Sequence, residues 1–310
     1  MNYGFMKQHT ICQEVWCSGV GLHSGLKVSL RLKPAPVDHG IRFRRVDIPE
    51  TPTISAHYNH VVNTFQATTI GFDGVVVSTI EHLMAALYGC GVDNALVEVD
   101  GPEVPIFDGS AAPYVKLLKR ASIREQSAAR NFLTIQQPVT VMDGDSFIKA
   151  TPSNEFKIRY VIDFPHPLVG TQELSWSLEN GSFGQDIAKA RTFGFLKDVR
   201  KLQTMGLIQG GSLANAVVFS DQDLLNVGGF RYSDECVRHK ILDFIGDLAL
   251  TGMPVLGYFE IRKAGHGLHS RFLKQVMTNP GYAVPKAIPV SVMHLASAPS
   301  AIAGSLFVAE

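Results

Sequence analysis

Long apolar runs are missing from this chain. Although 45% of its 310 residues are hydrophobic, no stretch approaches the ~20 residues that a membrane-crossing helix needs. A protein without transmembrane segments is expected. Runs of positive charge are missing too: Lys plus Arg and Asp plus Glu both number 28, and no basic run exceeds Arg44-Arg45. A nucleic-acid partner is therefore excluded. Cysteine is scarce, with four residues (Cys12, Cys17, Cys90, Cys236) and no C-x-x-C spacing. The opening MNYGFMKQHT lacks the charged and apolar regions of a secretion signal, so a cytoplasmic protein with reduced thiols is the expectation. Nothing specifies an oligomer, and a monomer is favoured.

The length suits two domains at roughly 150 residues each. Period-2 alternation marks a strand at Leu26–Leu32, stopped by the prolines that follow, and further strands are expected at 40–44, 68–71 and 95–99. Thr79–Tyr88 reads as a helix capped by Ser78 and stopped by Gly89 and Gly91, and a second helix is expected at 112–119. The polar piece 122–130 reads as a linker between a first domain, 1–121, and a second, 131–281. In the second domain strands are expected near 131–135, 147–150, 155–163, 170–176 and 254–261, with helices near 186–190, 196–205 and 233–251. The tail 282–310, rich in Ala, Ser and Pro, is expected to be weakly structured. Strands and helices mix without regular β-α-β alternation, which points to an α+β fold.

What is present is a polar ladder. His239, Asp243 and Asp247 recur every four residues, which stacks them on one helical face. His239 and Asp243 suit a single Zn²⁺, and a catalytic site would then need one more protein ligand and a water. With eleven His in the chain, such a pair arises by chance in about half of comparable sequences. The context is more telling. Ile241, Leu242, Phe244 and Ile245 give this helix an apolar face, so its carboxylates lie near a core, where they require a partner or a cation.

Each half also carries a His-bearing helix that ends at Gly and runs into an apolar strand: His82 to Gly91 then 96–99, and His239 to Gly252 then 255–259. Facing each other, these helices would bring His82 beside His239 and Asp243 as the third ligand. Glu81 would then sit one side chain from a metal-bound water, as a base. The alternatives are a first-turn Glu favoured by the helix dipole and a satisfied, partly buried His.

Six motifs occur in order: Ser18-Gly-Val-Gly-Leu-His-Ser-Gly25, Thr79-Ile-Glu-His-Leu-Met-Ala-Ala-Leu87, Pro105-Ile-Phe-Asp-Gly-Ser110, Ala190-Arg-Thr-Phe-Gly-Phe195, Arg238-His-Lys-Ile-Leu-Asp-Phe-Ile-Gly-Asp247 and Lys263-Ala-Gly-His266. Together they resemble the UDP-3-O-acyl-N-acetylglucosamine deacetylases, zinc amidases that commit their substrate to lipid A. The resemblance implies two domains of similar topology, with helix layers facing each other and the active site between them. It implies His82, His239 and Asp243 as zinc ligands, Glu81 as general base toward the metal-bound water, and Thr192 as a hydroxyl donor to the oxyanion. His266 is implied as an imidazolium that assists the leaving amine, although either Glu81 or His266 could deliver that proton. Asp247, about 12 Å along the helix from His239, would hydrogen-bond His266 and raise its pKa.

The substrate would be an acylated UDP-sugar. Lys240 is expected to pair with its diphosphate, the bland alternative being a solvated helix residue. An insert at about 193–218, with Phe193, Phe195, Leu196, Val199 and Ile208, is expected to form a passage for the acyl chain, while Leu202 is expected in the core. Phe244, next to the ligand Asp243, is expected to alter packing beside the metal. A His₂Asp site also accepts Fe²⁺ or Co²⁺. Two competing classes remain at this point: a nucleotide-sugar or acyl-chain binding protein with a structural metal, and a hydrolase of a different amide.

Overall fold

The first half, in a computed structural model describing residues 6–178 and 182–289, is built on alternation. Its strands are β1 (Lys7–Ile11), β2 (Val15–Val20), β3 (Lys27–Pro34), β4 (Ile41–Arg45), β5 (Ile54–Ser55), β6 (Val61–Asn63), β7 (Thr69–Phe72) and β8 (Val75–Val77). Helix α1 (Glu81–Gly89), β9 (Ala95–Val99), α2 (Ala112–Ala121) and β10 (Ile123–Ala129) follow. A five-stranded sheet runs β2-β3-β9-β4-β5, and β6-β7-β8 form a smaller one. In β3 the apolar Val28, Leu30 and Leu32 point inward while Lys27, Ser29 and Arg31 are exposed, the pattern of a sheet with one face buried.

Helix α1 does not start as the sequence suggested. Ser78 makes no cap; its hydroxyl bonds that of Thr69 at 2.8 Å, and Thr79 adopts a positive φ of 59°. That turn puts the Thr79 hydroxyl 2.7 Å from the buried Glu103 carboxylate, so a sheet-side network takes the polar groups that would otherwise cap the helix.

The segment read as a linker is mostly strand. β10 pairs antiparallel with β1, Ile11 opposite Ile123 and Lys7 opposite Ala129. Its polar composition reflects a two-stranded ribbon with little core to cover. Gln126 supplies the anchoring, accepting from Asn94 and donating to the Ala35 carbonyl.

The second half comprises β11 (Asn131–Ile135), β12 (Val139–Asp143), β13 (Ser146–Thr151), β14 (Phe156–Phe164), β15 (Gly170–Ser177), β16 (Phe193–Phe195), α3 (Leu196–Thr204), β17 (Val217–Phe219), α4 (Glu235–Leu248), β18 (Val255–Arg262), α5 (His266–Thr278) and β19 (Ala283–Ala287). A seven-stranded sheet forms around β18, which pairs with β13, β14 and β11. The stretch expected as a helix at 186–190 is instead a single π turn, Phe183–Ile187. The tail is ordered at its start, because β19 pairs along the whole of β11; residues 290–310 lie outside the described part. The amide of Met6 reaches the carbonyl of Ile288 at 3.2 Å, and Met6 packs on Phe132, Leu256 and Ile288.

The architecture is α+β, as the pattern of elements indicated. Apart from that satellite, one apolar core spans both halves and includes Phe43, Leu83 and Tyr114 of the first and Tyr160, Phe244 and Phe259 of the second. Helices α1 and α4 pack on each other, which closes the two helix layers face to face. No helix among the described residues is long and apolar enough to cross a membrane.

Candidate active site at the seam of the two helix layers

Packing of α1 on α4 brings together three side chains that the sequence keeps apart. Asp243 Oδ1 lies 3.2 Å from His239 Nε2 and 3.6 Å from His82 Nε2. The two rings meet nearly edge to face, centroids 4.9 Å apart. All three residues are buried, and their ligand atoms lie within 4.8 Å of one another.

Do these residues fit a metal? His239 Nδ1 lies 3.1 Å from the carbonyl of Ala190, an acceptor, so the ring hydrogen belongs on Nδ1 and the Nε2 lone pair faces the carboxylate. Two acceptors at such range in a dry site call for a cation between them. Two imidazole nitrogens and one carboxylate oxygen make a three-ligand set for a catalytic metal with a position left open. Burial works against the charge on Asp243, but cationic neighbours, the Lys240 ammonium among them, outweigh it and hold its pKa well below the usual range.

Around this cluster opens a cavity of about 420 Å³. Glu81, Thr192, Phe193, Lys240 and His266 all line it. Glu81 is fixed by the Thr68 amide at 3.1 Å. Burial raises its pKa, only partly offset by His266 and His82, which makes it a stronger base than an exposed carboxylate.

His266 begins α5. Its Nδ1 sits 2.7 Å from Asp247 Oδ2, and the Thr68 hydroxyl donates to Asp247 Oδ1 at 2.5 Å. Burial disfavours the imidazolium, but the charge and hydrogen bond of Asp247 prevail and raise the His266 pKa to about 9. Asp247 in turn is held below the usual carboxylate range, its own burial overcome by His266. The distant third rung of the helical ladder thus serves a neighbouring imidazole.

Lys240 is not a solvated helix residue. Its ammonium bonds Asp243 Oδ2 at 2.8 Å and lies 5.8 Å from the Phe193 ring centre. Burial opposes its charge, and Asp243 more than restores it, raising the pKa. An ammonium carries three hydrogens, so the pairing leaves donors for the cavity.

Thr192 is held by its backbone: its amide reaches the Gly109 carbonyl at 2.7 Å, and its carbonyl takes the Val217 amide at 2.8 Å. Gly109 has φ +83°, and a Cβ there would meet the Asn215 carbonyl oxygen at 2.1 Å; only glycine fits. Next door, Arg191 grips Glu235 with two hydrogen bonds, 2.8 and 3.0 Å. One short segment, 190–192, thereby orients His239, clamps α4 and places Thr192 at the cavity wall.

Residues 193–219 form a β-α-β insert in which β16 and β17 are parallel. Phe195 stacks on Phe219 at 5.5 Å, and Phe193 stands 5.4 Å from Phe164. Leu196, Val199 and Ile208 are half-buried. Leu202, expected in the core, is half-buried too: no residue of α3 is fully buried. Phe244, next to Asp243, is absent from the cavity wall; it packs on Phe259 and His269 at 5.4 and 5.2 Å.

Residues 8–278 match the family model described as UDP-3-O-acyl N-acetylglycosamine deacetylase. The chain belongs to that family. Similar family members share the name UDP-3-O-acyl-N-acetylglucosamine deacetylase. The protein of Myxococcus xanthus is 50% identical over 273 residues, 88% of this chain and 87% of that one. That of Citrifermentans bemidjiense is 48% identical over 273 residues, 88% and 90% of the two chains, and that of Pasteurella multocida 46% over 277 residues, 88% and 91%. The family match takes in every residue of the cavity cluster and the insert.

Sequence reasoning did not find Thr68, which touches both Asp247 and Glu81 through its hydroxyl and its amide. Nor did it find His269, whose Nδ1 is 2.7 Å from Asp247 Oδ2. For Thr68 no sequence signal existed. For His269 the signal was its place three residues after His266, one turn along a helix that the flanking glycines disguised.

Proposed function

We propose that this protein removes the N-acetyl group of a UDP-3-O-acyl-N-acetylglucosamine by hydrolysis, releasing acetate and the free amine, as a step of lipid A biosynthesis. The observation that carries the reading is the buried His82, His239 and Asp243 triad opening on the same cavity as Glu81 and His266, in a chain of that family.

His82, His239 and Asp243 would hold Zn²⁺, with Fe²⁺ compatible with the same donors. When bound, the ion supplies Lewis acidity, polarising the scissile carbonyl and easing deprotonation of water. Glu81, raised in pKa and anchored by Thr68, takes the proton from the attacking water. Thr192 offers a hydroxyl to the developing oxyanion, a donor already placed before the charge appears. His266, protonated at neutral pH because of Asp247, gives a proton to the departing amine. Lys240, partly neutralised by Asp243, adds positive charge at the wall for the substrate's diphosphate. The half-buried Phe193, Phe195, Leu196, Val199 and Ile208 give the acyl chain an apolar surface.

The test compares wild-type protein with Glu81→Gln, measuring bound metal and acetate release from the UDP-sugar. Equal metal content with activity lost in the variant is the expected result. Full activity in Glu81→Gln would overturn the mechanism. Bound metal without hydrolysis of any amide by the wild type would point to a binding protein.

A further inference from the structure

Asp247 Oδ2 receives two imidazoles, not one. His266 Nδ1 and His269 Nδ1 each lie 2.7 Å from that oxygen, while the other carboxylate oxygen takes the Thr68 hydroxyl. The rings stand 5.9 Å apart at 80°, one turn of α5 between them. His266 lines the cavity; His269 does not. It has no exposed surface and lies edge-on to the Phe244 ring at 5.2 Å.

The second nitrogen of His269 faces a hydroxyl with little to offer. Tyr160 stands 3.5 Å from Nε2 and gives its hydrogen to the Ala264 carbonyl at 2.8 Å. Among the described residues the one good partner of the His269 ring is therefore the carboxylate, and a carboxylate that is ionised accepts and does not donate.

We propose that His269 is a positioning residue for the reaction, a neutral imidazole that donates Nδ1–H to Asp247 and so locks the carboxylate that orients His266. The inference rests on His266 acting as proton donor.

Two physical reasons favour a neutral donor over a second imidazolium. Burial lowers the His269 pKa, and its hydrogen bond to Asp247 does not make up the difference. A second cation beside His266 would also compete for the same negative charge, whereas a neutral N–H leaves that charge for His266. With two N–H groups and one O–H on its two oxygens, Asp247 has no freedom to rotate about its Cβ–Cγ bond. His266 is then left with a single ring orientation, Nδ1 on Asp247 and Nε2 for the substrate. Removing the His269 donor frees one lone pair and loosens that orientation without touching substrate.

The experiment uses zinc-loaded protein and the UDP-3-O-acyl-N-acetylglucosamine substrate. His269→Leu, which fills the space without a donor, is expected to lower kcat about tenfold, the scale on which groups behind a catalytic His act, with KM changed by less than about twofold. His269→Asn, whose side-chain N–H₂ stands near the position of Nδ1, is expected to recover most of the loss. In a His266→Ala background the Leu substitution is expected to cost nothing further. ¹⁵N-histidine NMR of the wild-type protein, which needs no variant to fold, is expected to show His269 neutral with its hydrogen on Nδ1. A hydrogen on Nε2, equal losses for Leu and Asn, or the same loss with and without His266 would overturn the proposal while leaving the hydrolytic mechanism standing. A His266→Ala protein as active as wild type would instead remove the role of His266, and this inference with it.

Discussion

Gly246 of α4 rests against the backbone carbonyl of Glu81 at the start of α1. A Cβ on Gly246 would stand 2.0 Å from that oxygen, closer than any side chain tolerates. The three proposed metal ligands come from these two helices, so their separation sets whether three donors can converge. Gly246→Ala is expected to push the helices apart, lowering stability by about 1–3 kcal/mol and zinc affinity at least tenfold. Thermal unfolding and metal titration check both; wild-type zinc affinity in the variant would show that the close approach does not shape the site.

The proposed ligands and the proposed base separate by what each loses. His239→Ala removes a donor from the triad and is expected to leave protein that binds little zinc, with activity lost in proportion. Glu81→Gln keeps the triad and is expected to retain zinc while losing about 10²–10⁴ in kcat, the usual worth of a general base. Elemental analysis alongside acetate release distinguishes the two patterns.

His266, with its pKa raised to about 9, is protonated at neutral pH and loses its proton as pH climbs through that value. As the proposed acid in the reaction, it should give kcat/KM a basic limb near pH 9. Asp247 is the partner that raises it, so Asp247→Asn should move that limb to lower pH. A limb that stays in place in the variant would assign it to another group.

Phe195 contacts Phe219 and Phe164 at 5.5 and 5.6 Å, and belongs to the apolar surface proposed for the acyl chain. Each methylene buried there is worth about 0.8 kcal/mol. Phe195→Ala is therefore expected to raise KM for long-chain substrates and to leave short-chain ones nearly unaffected. KM measured across a chain-length series reads this directly, and a uniform rise would place the chain elsewhere.

What the sequence revealed follows from how locally each feature is encoded. His239 and Asp243 share one helix, so their convergence is a matter of period alone. Glu81 and His82 are neighbours, and only their meeting with α4 needed the fold. The start of α5 was hidden because Gly265 and Gly267 make His266 look like a turn residue, although Gly265 serves as the helix N-cap. Thr68 was hidden for a deeper reason: its hydroxyl reaches Asp247 across 179 positions, and nothing local marks a residue whose partners are that remote. The misreading of Ser78 as a cap had the opposite origin. Its local signal was sound, but Thr69 took the hydroxyl first.

The hydrogen bond between Met6 and Ile288 makes the first described residue a neighbour of the last but one, so the described path of the chain is nearly a closed ring. A ring has no privileged starting point. Joining those two positions and reopening the chain at the β12–β13 turn, where Gly144 has open space around it, would reverse the order in which the two helices that carry the cluster leave the ribosome: α4 would be made first and α1 after it. The site, built from contacts between helices and not from their succession, should then tolerate assembly with either helix made first.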